Sequence, residues 1–284
     1  MTPDVMGSFD LKGKVLVITG GGGELCSAMA IALGSLGSKV AILDLNFENA
    51  EKTAIAVEKA GGQALAMVCN VLNAEELTAC HAIICQKWGR VDLLIPGAGG
   101  NDPRGTTHDE FLSSWEQQSE NNLGFFDLDL PGFRHVFDLN FLSTFLTIKT
   151  FSKSMVEQGG GSIVNISSMS ALTPLTKVAA YSAAKAAVSN FTQWLAVHLS
   201  QTGVRVNAIA PGFFMTEQLR FLHVNQETGE LSDRAKKVIA HTPLGRYGNP
   251  EDLLGAVLWL LSDASKFVTG IVVPIDGGFS AYTI

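Results

Sequence analysis

The chain has 284 residues, of which 46% are hydrophobic and 17% charged, so it can build a large core and is not a disordered polymer. A formal net charge of -7 with no run of Lys or Arg argues against a nucleic-acid backbone as ligand. Apolar runs are broken well short of the ~20 residues of a spanning helix, and the N-terminal stretch shows no signal-peptide pattern, so a cytoplasmic protein without membrane contact is expected.

Short β-rich runs alternate with longer helical ones. "KVLVIT" (14–19) reads as a strand and 24–36 as a helix ending near Gly37. "KVAILD" (39–44) is the second strand, and 47–62 a helix with a glycine stop. "QALAMVCN" is the third strand, residues 73–88 an amphipathic helix, and "RVDLLIPGAGG" the fourth strand with a glycine-rich exit. Residues 101–130 break the rhythm; they are mixed in composition and include Trp115 and "ENNLGFF". One long helix is expected over 131–158, with Pro131 suited to its first turn. "GSIVNISS" is strand five, 179–203 a helix, and "VRVNAIAP" strand six. An irregular helical excursion over 213–249, a helix over 250–262 and a last strand in "TGIVVPIDGG" complete the chain.

Continuous apolar strands separated by helices imply an α/β fold: a single Rossmann-type doubly wound parallel sheet of about seven strands, with helices on both faces. One domain over 1–284 is expected, carrying an inserted loop at 101–130 and the excursion at 213–249. Ligands of such sheets bind beyond the carboxyl ends of the strands. Cys26, Cys69, Cys80 and Cys85 form no CxxC pair or metal spacing and read as reduced thiols. No metal site is expected.

The first strand and helix are joined by "VLVITGGGGELCSAMA" (15–30). N–H groups at a helix N-terminus stabilise a pyrophosphate, and glycines let the backbone approach it. Gly20, Gly22, Gly23, Glu24 and Leu25 are the candidate phosphate contacts. Gly20 lies 24 residues before Asp44, which ends strand two, where a carboxylate accepts from adenosine ribose hydroxyls. Leu45 and Asn46 offer no cation for a 2′-phosphate, so NAD(H) is favoured over NADP(H). In "YSAAK", Tyr181 and Lys185 share a helix face. A neighbouring ammonium favours the phenolate, so the pair can exchange a proton with a substrate alcohol or carbonyl. Ser168, 13 residues before Tyr181, leaves strand five at the same edge and could hold the reacting oxygen.

With "TGGGG", Asp44, "GAGG" (97–100), Asn140 in "FDLNFLSTF", Ser168, "YSAAK" and "NAIAPGFFMTE", the chain resembles the classical short-chain dehydrogenase/reductase family over nearly its whole length. The resemblance implies that Tyr181 is the general acid/base, Ser168 orients the substrate carbonyl, and Lys185 lowers the tyrosine pKa and binds the nicotinamide ribose. It implies that Asn140 holds a water in the proton relay, and that Ala98 and Gly99 also touch the cofactor. Pro211, Gly212, Phe214 and Thr216 would lie beside the nicotinamide, and Asn70 and Val71 beside the adenine. Members of the family are commonly homotetramers, built through the long helices and the last strand; a homodimer is the alternative. Three features depart from the pattern: Pro96-Gly97 replaces Asn-Asn, Glu24 and Cys26 replace glycines, and the stretch between Gly100 and Asn140 is long. Glu24 is expected to turn away from the phosphates, to solvent or back onto its own helix N-terminus.

Whole phrases, among them "PLTKVAAYSAAKAAVSNFTQWLAVHLS" and "AHTPLGRYG", resemble the D-mannonate oxidoreductases (fructuronate reductases) of that family. This implies NAD(H)-linked interconversion of D-fructuronate and D-mannonate. A related polyol, ketose or ketogluconate dehydrogenase, or an NAD(H)-binding sensor without turnover, are the other readings. A sugar acid needs a cation or clustered N–H groups for its carboxylate. Asn101, Arg104, His108, Lys177, Gln218 and Arg220 are the candidates, and "NDPRGTTHDE" (101–110) is too polar to suit a steroid or acyl chain.

Overall fold

A computed structural model of the chain describes residues 4–112, 123–225 and 228–283, without the side chains of 218, 221 and 222. Trp115 and much of "ENNLGFF" therefore lie outside the described residues.

Seven parallel strands run in the order β3-β2-β1-β4-β5-β6-β7. They are β1 Val15–Thr19, β2 Lys39–Asp44, β3 Gln63–Val68, β4 Leu93–Pro96, β5 Gly161–Ile166, β6 Val204–Pro211 and β7 Val272–Ile275. The order reverses between β1 and β4, which places the ligand crevice at their carboxyl ends. Pro96 brings no N–H to the ladder, and β4 pairs with β5 only through Leu93 and Leu94. The chain beyond Pro96 is thus free to leave the sheet into the crevice.

Helices α1 Glu24–Ser35, α2 Phe47–Lys59 and α3 Ala74–Trp88 follow the first three strands, as their periodicity predicts. Two buried clusters cover the two sheet faces. One joins Leu16, Ile18 and Ile42 to Met29 and Leu33 of α1. The other joins Val17, Leu43 and Leu94 to Leu77 and Ile84 of α3 and to Phe151.

The single helix expected over 131–158 is interrupted. It is α4 Leu130–Phe137, a π-helical turn Asp138–Leu142, and α5 Ser143–Glu157. Ser143 donates to the Leu139 carbonyl and Thr144 Oγ1 to the Asn140 carbonyl at 3.0 Å. Such back-bonding hydroxyls favour local distortion, and a π turn admits one extra residue. Helix α6 spans Ala179–His198. The 213–249 excursion contains α7 Glu217–His223 and α8 Asp233–His241, and α9 is Leu254–Leu261. No described helix is long and apolar enough to cross a membrane.

Candidate active site

The glycine turn is tight where the crevice opens. Gly20 has φ +62, and a Cβ there would lie 2.8 Å from the Ala98 Cα, so a larger residue is excluded by conformation and by space. Gly23 caps α1 with φ -75, and Glu24 is the first helical residue. Among the described residues only Lys177 combines a side chain with positive φ, so Glu24 and Cys26 replace glycine without backbone strain. Cys26 is buried and its Sγ lies 3.9 Å from the Gly97 carbonyl. Burial pushes its thiol up to about 12, against the pull of Lys185, so it adds no charge beside the turn at neutral pH. Glu24 goes neither to solvent alone nor to its own helix: its Oε2 accepts the backbone N–H of Glu217 at 2.7 Å.

Asp44 closes the other side of the turn. Its Oδ2 accepts from Gly22 N–H at 3.0 Å and its Oδ1 from Asn46 N–H at 2.9 Å. No Lys or Arg ion pair involves it among the described residues. A fixed, uncompensated carboxylate at the end of β2 suits ribose hydroxyls and repels a 2′-phosphate, so the cradle fits NAD(H). Leu45 is exposed beside it. Asn70 turns its Oδ1 to Leu72 N–H at 3.0 Å, while Val71 is buried in the core. Val71 can therefore face a cofactor only through its backbone. Phe214 is likewise a core residue, packed with Leu253 and Val257. Pro211 ends β6, Gly212 N–H donates to Ile275 O at 2.9 Å, and Thr216 caps α7 by accepting from Leu219 N–H at 3.2 Å.

Ser168, Tyr181, Lys185 and Asn140 meet at the carboxyl ends of β4 and β5. Burial of the Tyr181 phenol raises its pKa, and its hydrogen bond with Ser168 partly lowers it again. Lys185 was expected to lower the tyrosine. Its Nζ instead donates to the Ile166 carbonyl at 2.9 Å and lies 5.6 Å from the Tyr181 ring centroid. Burial also brings Lys185 itself down to about 8. The Asn140 amide is bound to backbone on every side. It donates to Gly100 O at 2.6 Å and Val136 O at 2.8 Å, and accepts from Gly100 N–H at 3.2 Å. Both its donors are used by backbone, so the side chain clamps the β4 exit to the π turn. Gly99 passes between this amide and Lys185.

The substrate-side residues are only partly gathered. Asn101 donates to Thr106 Oγ1 at 2.8 Å. Arg104 is held by Asp102 at 2.8 Å and faces Asp129 at 3.9 Å, so its charge is already answered. His108 Nδ1 accepts from Leu123 N–H at 3.2 Å and fixes the neck of the insertion. Lys177 takes the Thr107 N–H on its carbonyl at 2.9 Å, just ahead of α6. The Gln218 side chain is outside the described residues; Arg220 stands on α7. A cavity of about 670 Å³ opens between Glu110, the 173–176 loop, Phe213 and α8.

A family model described as enoyl-(acyl carrier protein) reductase matches residues 25–280. The 7alpha-hydroxysteroid dehydrogenase of Escherichia coli strain K12 is 31% identical over 94% of each chain. The chain belongs to the short-chain dehydrogenase/reductase family. It is an NAD-dependent oxidoreductase of that family. The uncharacterized oxidoreductase UxuB of Bacillus subtilis strain 168 is 50% identical to this short-chain reductase over 96% of this chain and 97% of its own. A solved structure from Haemophilus influenza, provisionally named a D-mannonate oxidoreductase and holding NAD, superposes with a TM-score of 0.92. It is 48% identical, over 96% of this chain and 97% of that one.

Two contributors to this short-chain reductase site escape a reading of its motifs. Thr19 Oγ1 accepts from Gly97 N–H at 3.1 Å and Ala98 N–H at 3.3 Å, stitching the β1 end to the β4 exit. Ser167 donates to the Lys185 carbonyl at 3.1 Å and pairs with Ser189, which fixes the pitch of α6 behind the tyrosine. Their positions inside "TGGGG" and "NISSMS" were the available signal.

Proposed function

We propose that this enzyme interconverts a sugar-acid ketone and its alcohol with NAD(H), with D-fructuronate and D-mannonate as the pair. Likeness to the NAD-bound Haemophilus structure supports the reading. The observation that carries it is the strap from Thr107 to Lys177. It ties the polar run 101–107 to the backbone of the loop that carries Lys177 and leads into Tyr181. The Lys177 ammonium has no carboxylate partner among the described residues, unlike Arg104.

Backbone N–H groups at the start of α1 hold the pyrophosphate, Asp44 the adenosine ribose, and residues 211–216 the nicotinamide half. NAD(H), when bound, supplies or accepts the hydride. Tyr181 holds the proton at its phenol oxygen and exchanges it with the substrate oxygen. Ser168 shares a hydrogen bond with that phenol and orients the same oxygen. Lys185, held on the Ile166 carbonyl, would bind the nicotinamide ribose, and Asn140 fixes the crevice wall. The occupied charge of Arg104 favours one alternative, a neutral polyol or ketose substrate.

We also propose a cytoplasmic homotetramer. Trp194 and Val197 on α6 stand 58% and 76% exposed, and Phe145 on α5 is also exposed, an apolar face suited to a second copy.

A panel of D-fructuronate, ketogluconates and neutral ketoses with NADH tests the substrate. Fructuronate should give the highest kcat/KM, and Lys177→Ala should raise its KM without changing that of a neutral ketose. Equal kcat/KM for fructuronate and the ketoses overturns the assignment. NADH binding with no turnover on any of them would make the chain a sensor.

A further inference from the structure

The bond from Glu24 to Glu217 joins the pyrophosphate turn to the segment that follows β6. Their strands are not neighbours in the sheet, although Cys26 of α1 and Phe214 belong to one buried cluster. β4 and β5 lie between β1 and β6, so the bond crosses the carboxyl edge of the sheet. Three strand spacings are about 14 Å. The exits of β4 and β5, where the residues of the crevice are gathered, lie between β1 and β6 in the sheet order.

The far side of the clasp is built to receive it. The first N–H groups of a helix have no partner within the helix. In α7, Thr216 satisfies the N–H of Leu219 and Glu24 that of Glu217. The base of the segment is anchored separately, by Met215 N–H to Gly248 O and Gly248 N–H to Phe213 O, each at 2.9 Å. A carboxylate among phosphate-binding N–H groups opposes a diphosphate by like charge. The bond to Glu217 N–H is an interaction that a glycine at this position could not make.

We propose that Glu24 is a positioning residue that clasps α7 over the cofactor crevice and slows cofactor release. It works through a backbone N–H, so it needs an acceptor oxygen of the right reach rather than a particular residue at 217. The inference rests on the pyrophosphate lying at this turn, but not on the identity of the substrate.

The test is NADH release from the full-length protein, followed by stopped-flow fluorescence without any sugar. Glu24→Ala should release NADH about tenfold faster, the scale of one lost charge-assisted hydrogen bond. Glu24→Gln keeps an acceptor oxygen and loses the charge, and should release at the wild-type rate or more slowly. Amide exchange at Glu217 should rise in Glu24→Ala and not in Glu24→Gln, which a general loosening of the fold would not reproduce. Unchanged release in Glu24→Ala overturns the clasp, as does release from Glu24→Gln as fast as from Glu24→Ala. Asp44→Ala serves as the reference. If it binds NADH as well as the wild type does, the cofactor placement is wrong rather than the clasp.

Discussion

The Sγ of Cys26 occupies the space that a side chain at position 97 would need. Two of the departures from the family pattern therefore meet in space, with the Thr19 carbonyl, 2.8 Å from a Cβ at 97, bounding the same gap. A thiol on α1 replaces a glycine, and a glycine on the β4 exit replaces an asparagine. Gly97→Asn alone should destabilise the protein by about 1–3 kcal/mol through overpacking. In the Cys26→Gly/Gly97→Asn double variant the combined cost should fall short of the sum by about 1 kcal/mol. Urea midpoints of the four proteins measure the coupling. Strict additivity would mean that the two substitutions are unrelated.

Tyr181→Phe should lower turnover by about 10²–10⁴-fold, the usual worth of a positioned acid/base, with NADH binding kept. Ser168→Ala has a more specific signature. The Ser168 bond is what lowers the Tyr181 pKa against burial. Its loss should move the alkaline rise of alcohol oxidation to higher pH, as read from kcat/KM profiles.

Lys185 has a folded pKa of about 8, below the usual 10.5 of a lysine. Between these values the unfolded chain binds the proton and the folded chain does not. The penalty for burying the ammonium is thus full below pH 8 and fades as pH rises toward 10.5. Lys185→Met should be inactive yet no less stable at pH 7, and its advantage over the wild type should shrink by pH 9.5. Paired denaturation curves at the two pH values check the slope.

Glu110 ties the insertion to α8 through Arg234 at 3.6 Å and Lys237 at 3.2 Å. These pairs are partly exposed, so Glu110→Gln should cost less than about 1 kcal/mol of stability. If the strap shapes the substrate side, KM for the sugar acid should rise about threefold, the same order as such a pair, with kcat unchanged. Added salt should raise the wild-type KM more steeply than that of the variant.

Strand and helix periodicity makes most of this fold legible. The seven strands and the helices between them fall within a few residues of where the apolar runs predict, because each is held by a buried face. Ser168, Tyr181 and Lys185 are equally legible, since their spacing already implies one strand exit and one helix face. What escapes the sequence depends on contacts between distant segments. The break at Asn140 needs the β4 exit beside it, and the partner of Glu24 lies 193 residues away. Arg104 reads as a free cation only if its neighbour Asp102 in "NDPRG" is overlooked, and the burial of Val71 and Phe214 in the core shows only in the folded chain. The tyrosine shift also escapes, since burial is invisible in a five-residue motif.

The π turn at Asp138–Leu142 makes helix continuity and site geometry independently adjustable. Each residue turns a helix by about 100°. Deleting one residue from the turn would restore an unbroken α-helix, preserving helical content and the packing of α5. It would also rotate α4 out of phase with α5 and shift residue 140 relative to Gly100, so the clamp on the β4 exit would be lost. A shorter, more regular helix would leave this enzyme well folded and without its crevice wall, so an irregular backbone is a requirement of the site.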